Sequence, residues 1–394
     1  MLIFSLVYYP SCFSGAEAAV QEVTNRINED DIEFDLVTLW LDREVPQQNR
    51  IGNVNVHRVG VGPLYLSKIL FLFLAAWKAR TLHKEHAYDG MWALMTYMMF
   101  PVVLARSLGV KVPYFVTLQD GDSYETVFER WFIRPVAPLL DRGFRGAAIV
   151  HAISTYLAEW PKRRGAKVPV VLIHNAANPN DFRTDLFTPD EITRARTDIG
   201  LQGGEVLIGN TARLVYQKGW EDCIVALTKL PSHVKLMIVG GGPDEQTYKD
   251  LVAEHSLQDR VIFIGQVDRS EVTKYRRMLD VFLMPSRSEG LGNAGLSSLA
   301  SRIPLVATQV GGLAEYVYDP EHNPDKKPNA WVVEPDSPDQ IAAAVERILN
   351  EPDEVKRRSE NGHAMVTRHY QWDNIATDMR EKIFAKVFDA GNHD

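Results

Sequence analysis

The chain has 394 residues, 45% hydrophobic and 24% charged, with 43 Lys and Arg against 51 Asp and Glu. Such a length favours two domains, since single cores stop growing near ~250–300 residues, and the ordinary apolar fraction excludes collagen, coiled coil and disorder. The formal charge of −8 sits wholly in the second half, because residues 1–185 carry 19 basic and 19 acidic side chains; the basic field of a general nucleic-acid binder is absent.

Met1 to Tyr9 is apolar with no Lys or Arg ahead of it, which predicts a first buried strand over Leu2–Tyr8 and not a signal peptide. A loop with Gly15 and a helix around Glu17–Asn28 follow, then strands at Phe34–Leu39 and Val54–Val59. Leu64–His83 reads as mostly helical. Its Lys68–Trp77 part is apolar nearly all round and is expected in the core. Neither Ile69–Trp77 nor Gly90–Ala105, broken by Pro101, reaches the ~20 apolar residues of a membrane span. Pro113–Leu118, Ala147–Ala152 and Val170–Ile173 complete the strands of this half.

A second cycle begins after an irregular stretch from His174 to about Gly204. Strands are expected at Val206–Asn210, Lys235–Val239, Val261–Ile264, Val281–Met284 and Leu305–Thr308. Helices are expected at Trp220–Leu230, from Pro243 through His255, at Leu296–Ser301, Gln340–Asn350 and Asn374–Phe388. The alternation is that of parallel α/β sheets, in two units joined near 175–200. Ligands of such folds bind at strand carboxyl ends, so the cleft between the units is the expected site. The two cysteines, Cys12 and Cys223, make no disulfide framework and suit a reducing, cytoplasmic setting.

Four features of the second half follow one another in order. Asn210-Thr211-Ala212-Arg213 ends a strand, and Gln217-Lys218-Gly219 precedes a helix. This places two cations, Arg213 and Lys218, beside free helix-start amides, a diphosphate site that needs no metal. Alone, the pair reads more readily as solvated loop side chains. Gly240-Gly241-Gly242-Pro243 is a tight turn and not a G-x-G-x-x-G fingerprint. Phe263-x-Gly265 ends a strand with backbone groups able to meet a base edge. Most specific is Pro285-Ser286-Arg287-Ser288-Glu289-Gly290-Leu291-Gly292-Asn293-Ala294-Gly295. Here a strand runs into an acid, a glycine loop and a helix: amides for an anion, and Glu289 for sugar hydroxyls.

In this order the motifs resemble the retaining GT-B glycosyltransferases of the family 4 type, the group-1 glycosyl transferases, along the whole chain. Pro10 and Ser14-Gly15-Ala16-Glu17 resemble the family's first glycine-rich loop, Ile153-Ser154 its strand-end serine, and Ile173-His174-Asn175 through Asp181-Phe182 its interdomain stretch. Val310-Gly311-Gly312, Glu315 and Asn329–Val333 also match. The resemblance implies an α/β GT-B fold, two Rossmann-like domains facing a cleft. Residues 1–178 would bind the acceptor, 200–371 the nucleotide sugar, and a helix near 372–390 would return to the first domain.

It further implies Arg213, Lys218 and Glu289 as the catalytic set, Glu289 standing at the first Glu of E-x7-E. The donor contacts it implies are Gly15, Gly241, Gly265, Gly290, Leu291, Gly292, Asn293, Ala294 and Ser297. On the acceptor side stand Gln119, Asp122 and Ser154. Three positions depart from the family pattern: Ser297 replaces the second Glu, Gln119 the usual histidine, and Ala176 a glycine.

The expected partners are a nucleotide diphosphate sugar, UDP ahead of GDP, and a hydroxyl acceptor, with no cofactor, no metal and no nucleic acid. Asp120-Gly121-Asp122 spells D-x-D, a spelling that 27 Asp produce once or twice by chance. Arg130-Trp131-Phe132-Ile133-Arg134-Pro135, with Arg142 and Arg145, has a composition that suits a peripheral membrane contact at the inner face as well as ordinary helix packing. A non-catalytic sugar-nucleotide binder and a hydrolase or epimerase on the same fold are the competing readings.

Overall fold

The computed structural model describes residues 1–10, 14–60, 62 and 64–391. Cys12 lies outside them. The chain divides into two compact units, Met1–Asn175 with the segment from Trp372 onward, and Ala176–Gln371.

The first unit is built on eight strands: β1 Leu2–Phe4, β2 Phe34–Leu39, β3 Gln48–Ile51, β4 Val54–Val59, β5 Met91–Leu94, β6 Tyr114–Leu118, β7 Ile149–Ala152 and β8 Val170–Leu172. Their order is β3-β4-β2-β1-β5-β6-β7-β8, and only β3, on the edge, runs antiparallel. The inner strands β1, β2, β5, β6 and β7 are buried at every residue, as a parallel sheet covered on both faces requires. The helical segment from Trp372 packs on this unit: the Phe384 ring lies 5.9 Å from Phe34 and 5.6 Å from both Trp92 and Phe115.

One expectation needs correcting here. The helix Tyr65–His86 buries Phe71, Ala75, Ala76, Ala79 and Leu82, but the rest of its apolar surface faces solvent, with Leu66 at 73% and Trp77 at 63% exposure. Only one of its two apolar faces is core.

The second unit has β9 Val206–Thr211, β10 Val234–Val239, β11 Val261–Gly265, β12 Val281–Met284, β13 Leu305–Ala307 and β14 Trp331–Val332. All run parallel, in the order β11-β10-β9-β12-β13-β14. Helix Pro338–Asn350 presents Ile341, Val345 and Ile348 as one stripe to this core, beside Trp220, Ile224 and Leu227 of helix Trp220–Leu227. The winding reverses at β9, which has β10 on one side and β12 on the other. The segments leaving β9 and β12 therefore emerge side by side at the carboxyl edge, where doubly wound sheets bind ligands.

Candidate active site at the carboxyl ends of β9 and β12

Two short segments meet at this reversal point. After β9 the chain is pinned by Ala212 N–H to Val239 O, Leu214 N–H to Gly241 O (both 3.0 Å) and the Trp220 indole N–H to Arg213 O at 3.1 Å. It then turns through Tyr216–Lys218 to Gly219, which has φ +67° and starts helix Trp220–Leu227. A Cβ at Gly219 would sit 2.2 Å from the carbonyl oxygen of Pro285, so only glycine lets this turn lie against the segment leaving β12. Arg287 N–H closes the contact on Gln217 O at 2.8 Å.

That approach brings Lys218 to Glu289. The Lys218 ammonium donates to Glu289 Oε1 at 2.5 Å, and the Ser286 hydroxyl donates to the same oxygen at 2.9 Å. Glu289 is 4% exposed. Ser286 is fixed in turn, its carbonyl accepting from the Thr308 hydroxyl at 2.7 Å. A cation and a hydroxyl on one oxygen hold this buried carboxylate in a fixed orientation.

Arg287 braces both segments. Its guanidinium lies 4.2 Å from the Tyr216 ring centroid, donates to Tyr216 O at 2.8 Å, and pairs with Glu221, Asp222 and Asp336. Burial pushes the Asp222 carboxyl up, with Arg287 opposing it at 3.0 Å. Neither Ser286 nor Arg287 carried a role in the sequence. The sole sign was their place inside the loop that ends in Glu289.

Gly290 and Leu291 are buried behind Glu289. Gly292, at φ +86°, caps helix Asn293–Ala300, and its carbonyl accepts from the Tyr316 hydroxyl at 2.6 Å. A side chain there would be strained by that φ and would press its Cβ on Leu313 at 2.6 Å. Asn293 and Ala294 open the helix, half exposed, with its free amides. Arg213 is exposed, and its guanidinium has no hydrogen-bond partner among the described residues. Gly241 follows the end of β10 and Gly265 ends β11, where Gly240 N–H donates to Gly265 O at 2.8 Å.

Ser297 is 3% exposed and its hydroxyl oxygen accepts from Asn178 N–H at 3.0 Å. The same turn carries Asp181, which is fully buried, is ion-paired with Arg276, and accepts at its carbonyl from Arg277 (2.8 Å) and Ser301 (3.3 Å). Arg276 reaches on to the Thr211 hydroxyl at 3.2 Å, so this network underlies the end of β9.

The acceptor-side candidates and one donor-side candidate, Gly15, lie in the first unit. Gly15 is the first residue of helix Gly15–Thr24, whose Ser14–Glu17 capping box is complete. Gln119 accepts from the Asn175 amide at 2.8 Å. Ser154 is fully buried and caps the helical turn Thr155–Ala158 by accepting from Leu157 N–H. Asp122 lies 3.8 Å from Arg130. Its neighbour Asp120 is buried against the Thr96 amide and hydroxyl, and burial pushes its carboxyl up to about 6. Behind it, Trp92 N–H donates to Thr117, whose hydroxyl meets His151 Nδ1 at 3.1 Å, while His151 Nε2–H donates to Ile173 O. Burial lowers this imidazole to about 4, so it is neutral at pH 7. No group of three or more His, Cys, Asp or Glu is arranged for a metal ion among the described residues.

The profile of the glycosyl transferases group 1 matches residues 191–365, and that of the glycosyl transferase 4-like domain matches residues 14–176. The chain belongs to the group 1 glycosyl transferases. Among curated relatives of this family, the GDP-mannose-dependent alpha-(1-6)-phosphatidylinositol monomannoside mannosyltransferase of Mycobacterium tuberculosis is 30% identical over 263 residues, 64% of this chain and 66% of that one. Matches to the first relatives span 52% to 66% of their length. Among solved structures, sucrose-phosphate synthase of Thermosynechococcus elongatus superimposes with a TM-score of 0.82 at 21% identity, over 99% of both chains. HepE of Anabaena, solved with UDP and glucose, gives 0.78 at 20% identity, over 97% of this chain and 98% of that one. The fold of this group 1 glycosyl transferase is GT-B.

Proposed function

We propose that the protein transfers a hexosyl unit from a nucleotide diphosphate sugar to a hydroxyl acceptor, with retention at the anomeric carbon. The observation that carries this reading is the Lys218–Glu289–Ser286 cluster beside the start of helix Asn293–Ala300. Breaking the bond from the anomeric carbon to the phosphate oxygen leaves charge on a diphosphate, and stabilising it is an electrostatic task. The Lys218 ammonium has three donors and gives one to Glu289, so two remain for phosphate oxygens. Arg213 adds a second cation, and the Gly290–Ala294 amides add neutral donors. Glu289, fixed by Lys218 and Ser286, accepts from hydroxyls of the transferred sugar. The acceptor oxygen forms the new bond on the face the phosphate leaves, and its proton passes to the departing phosphate oxygen.

The donor base is read as uracil ahead of guanine. The relatives differ: HepE was solved with UDP, and the mycobacterial enzyme is named for GDP-mannose. Incubation with UDP-, GDP- and ADP-sugars and a panel of hydroxyl acceptors tests the proposal. It expects nucleotide release that depends on acceptor, with the anomeric configuration kept in the product. Release without acceptor would make the protein a hydrolase, an altered sugar nucleotide an epimerase, and binding without turnover a scaffold.

A further inference from the structure

Of thirteen large apolar side chains exposed among the described residues, eleven fall in two segments of the first unit, 64–77 and 131–139. The Tyr65 and Phe132 rings meet edge to face at 6.3 Å, and Phe132 meets Trp131 at 5.6 Å, so the two segments form one patch.

The helix Tyr65–His86 shows why this is not core surface left over by chance. Its buried residues Phe71, Ala75, Ala79 and Leu82 follow helical spacing along one face. Leu66, Leu70, Phe73 and Trp77 follow the same spacing. At 3.6 residues per turn they fall on the opposite side. All four are exposed, from 51% at Leu70 to 73% at Leu66. A solvent-facing side would ordinarily be polar. Trp131, at 83% exposure, stands beside them on the second segment.

The charge around the patch is predominantly positive. Segments 64–80 and 130–145 contain seven Lys and Arg and a single acid, Asp141, which is ion-paired with Arg164 at 2.6 Å. Lys68, Arg134, Arg142 and Arg145 are exposed, as is Arg130, which lies 3.8 Å from Asp122. The first 185 residues are neutral in sum, so this is a local concentration and not a general field. No helix among the described residues is long and apolar enough to cross a membrane.

We infer that this patch is a docking surface for an anionic lipid bilayer. Its aromatic and aliphatic side chains would enter the boundary between headgroups and acyl chains, and the cations would meet lipid phosphates. An apolar stripe alone would serve a protein partner as well. Aromatics fringed by unneutralised Arg and Lys match the interfacial layer, where apolar burial and attraction to anionic headgroups add. This surface is independent of the sugar-nucleotide reading, and its test contains no sugar.

The test is flotation of the full chain with phosphatidylcholine vesicles containing about a third phosphatidylglycerol, and with phosphatidylcholine alone. The first should retain the protein and the second should not, with retention falling as salt is raised. Leu66→Ser/Phe73→Ser should lower retention at least about tenfold, and Arg134→Gln/Arg142→Gln should do so without touching an apolar group. All four side chains are exposed, so circular dichroism melts should stay at the parent value. Equal retention on both vesicles, no retention on either, or variants that bind like the parent would overturn the inference. A parent that sediments as a dimer, converted to monomer by Leu66→Ser/Phe73→Ser, would assign the patch to a second copy instead.

Discussion

The family resemblance puts Ser297 where a ribose-binding glutamate is expected, whereas its oxygen is committed to the backbone of Asn178. Ser297→Ala would leave a buried N–H unpaired, costing about 1–3 kcal/mol of stability, while affinity for UDP and GDP should change less than about threefold. Urea unfolding and nucleotide titration check the two halves separately; a tenfold loss of affinity with unchanged stability would place the hydroxyl on the ribose. Arg287 makes the opposite prediction, since it joins the turn bearing Lys218 to the loop bearing Glu289. Arg287→Ala strands the buried Asp222 and should cost about 3 kcal/mol, with a raised KM for donor. Arg287→Lys restores charge but not the fork that reaches Tyr216 O and three carboxylates, so rescue should be partial. Motif order singled out Lys218 and Glu289 separately, but not their contact with each other. Ser286 and Arg287 were not singled out, because their partners lie about 20 to 70 residues away and only folding brings them together.

At the scale of elements, strands β2, β4 and β12 were legible to the residue, since each is a compact apolar or alternating run with β-branched residues. Strand β5 was hidden inside the apolar stretch Gly90–Ala105, where nothing marks the change from strand to helix before Pro101. Helix Pro352–His369 was missed for a different reason. Its buried face is made of Arg358, Ser359, Gly362 and Val366, not an apolar stripe. Arg358 is 3% exposed yet lies 4.5 Å from the Trp331 ring centroid and pairs with Glu354. Gly362 lets the helix press on Leu299. The end of β6 carries a pH prediction. Asp120 titrates at about 6 in the fold against 3.8 when exposed, so between those values the folded protein binds the extra proton and loses stability as pH rises. Asp120→Asn removes that loss while its amide oxygen still accepts from Thr96. Its unfolding free energy relative to the parent should therefore grow by about 2 kcal/mol from pH 4 to pH 6 and flatten above 7. A difference independent of pH would show that the carboxyl is not desolvated.

For the whole molecule, charge and apolar surface are segregated in ways the sequence showed only in part. The excess of acid in the second half was countable, whereas the second apolar face of helix Tyr65–His86 was not, because periodicity cannot say which of two stripes the fold uses. The two-unit division depends on a chain that leaves the first unit at Asn175 and returns at Trp372, bringing Phe384 against Trp92 and Phe115. Within the second unit, sheet winding sets the site. Because β9 lies between β10 and β12, two segments distant in sequence share one edge, and Gly219 lets them touch.

The central claim is that this edge neutralises a departing diphosphate through Lys218, oriented by Glu289. The most direct test is kcat for Lys218→Ala under conditions where its melt shows a folded protein. A fall of about 10²–10³, with the acceptor KM unchanged, is the predicted result. Transfer at near the parent rate would contradict the account.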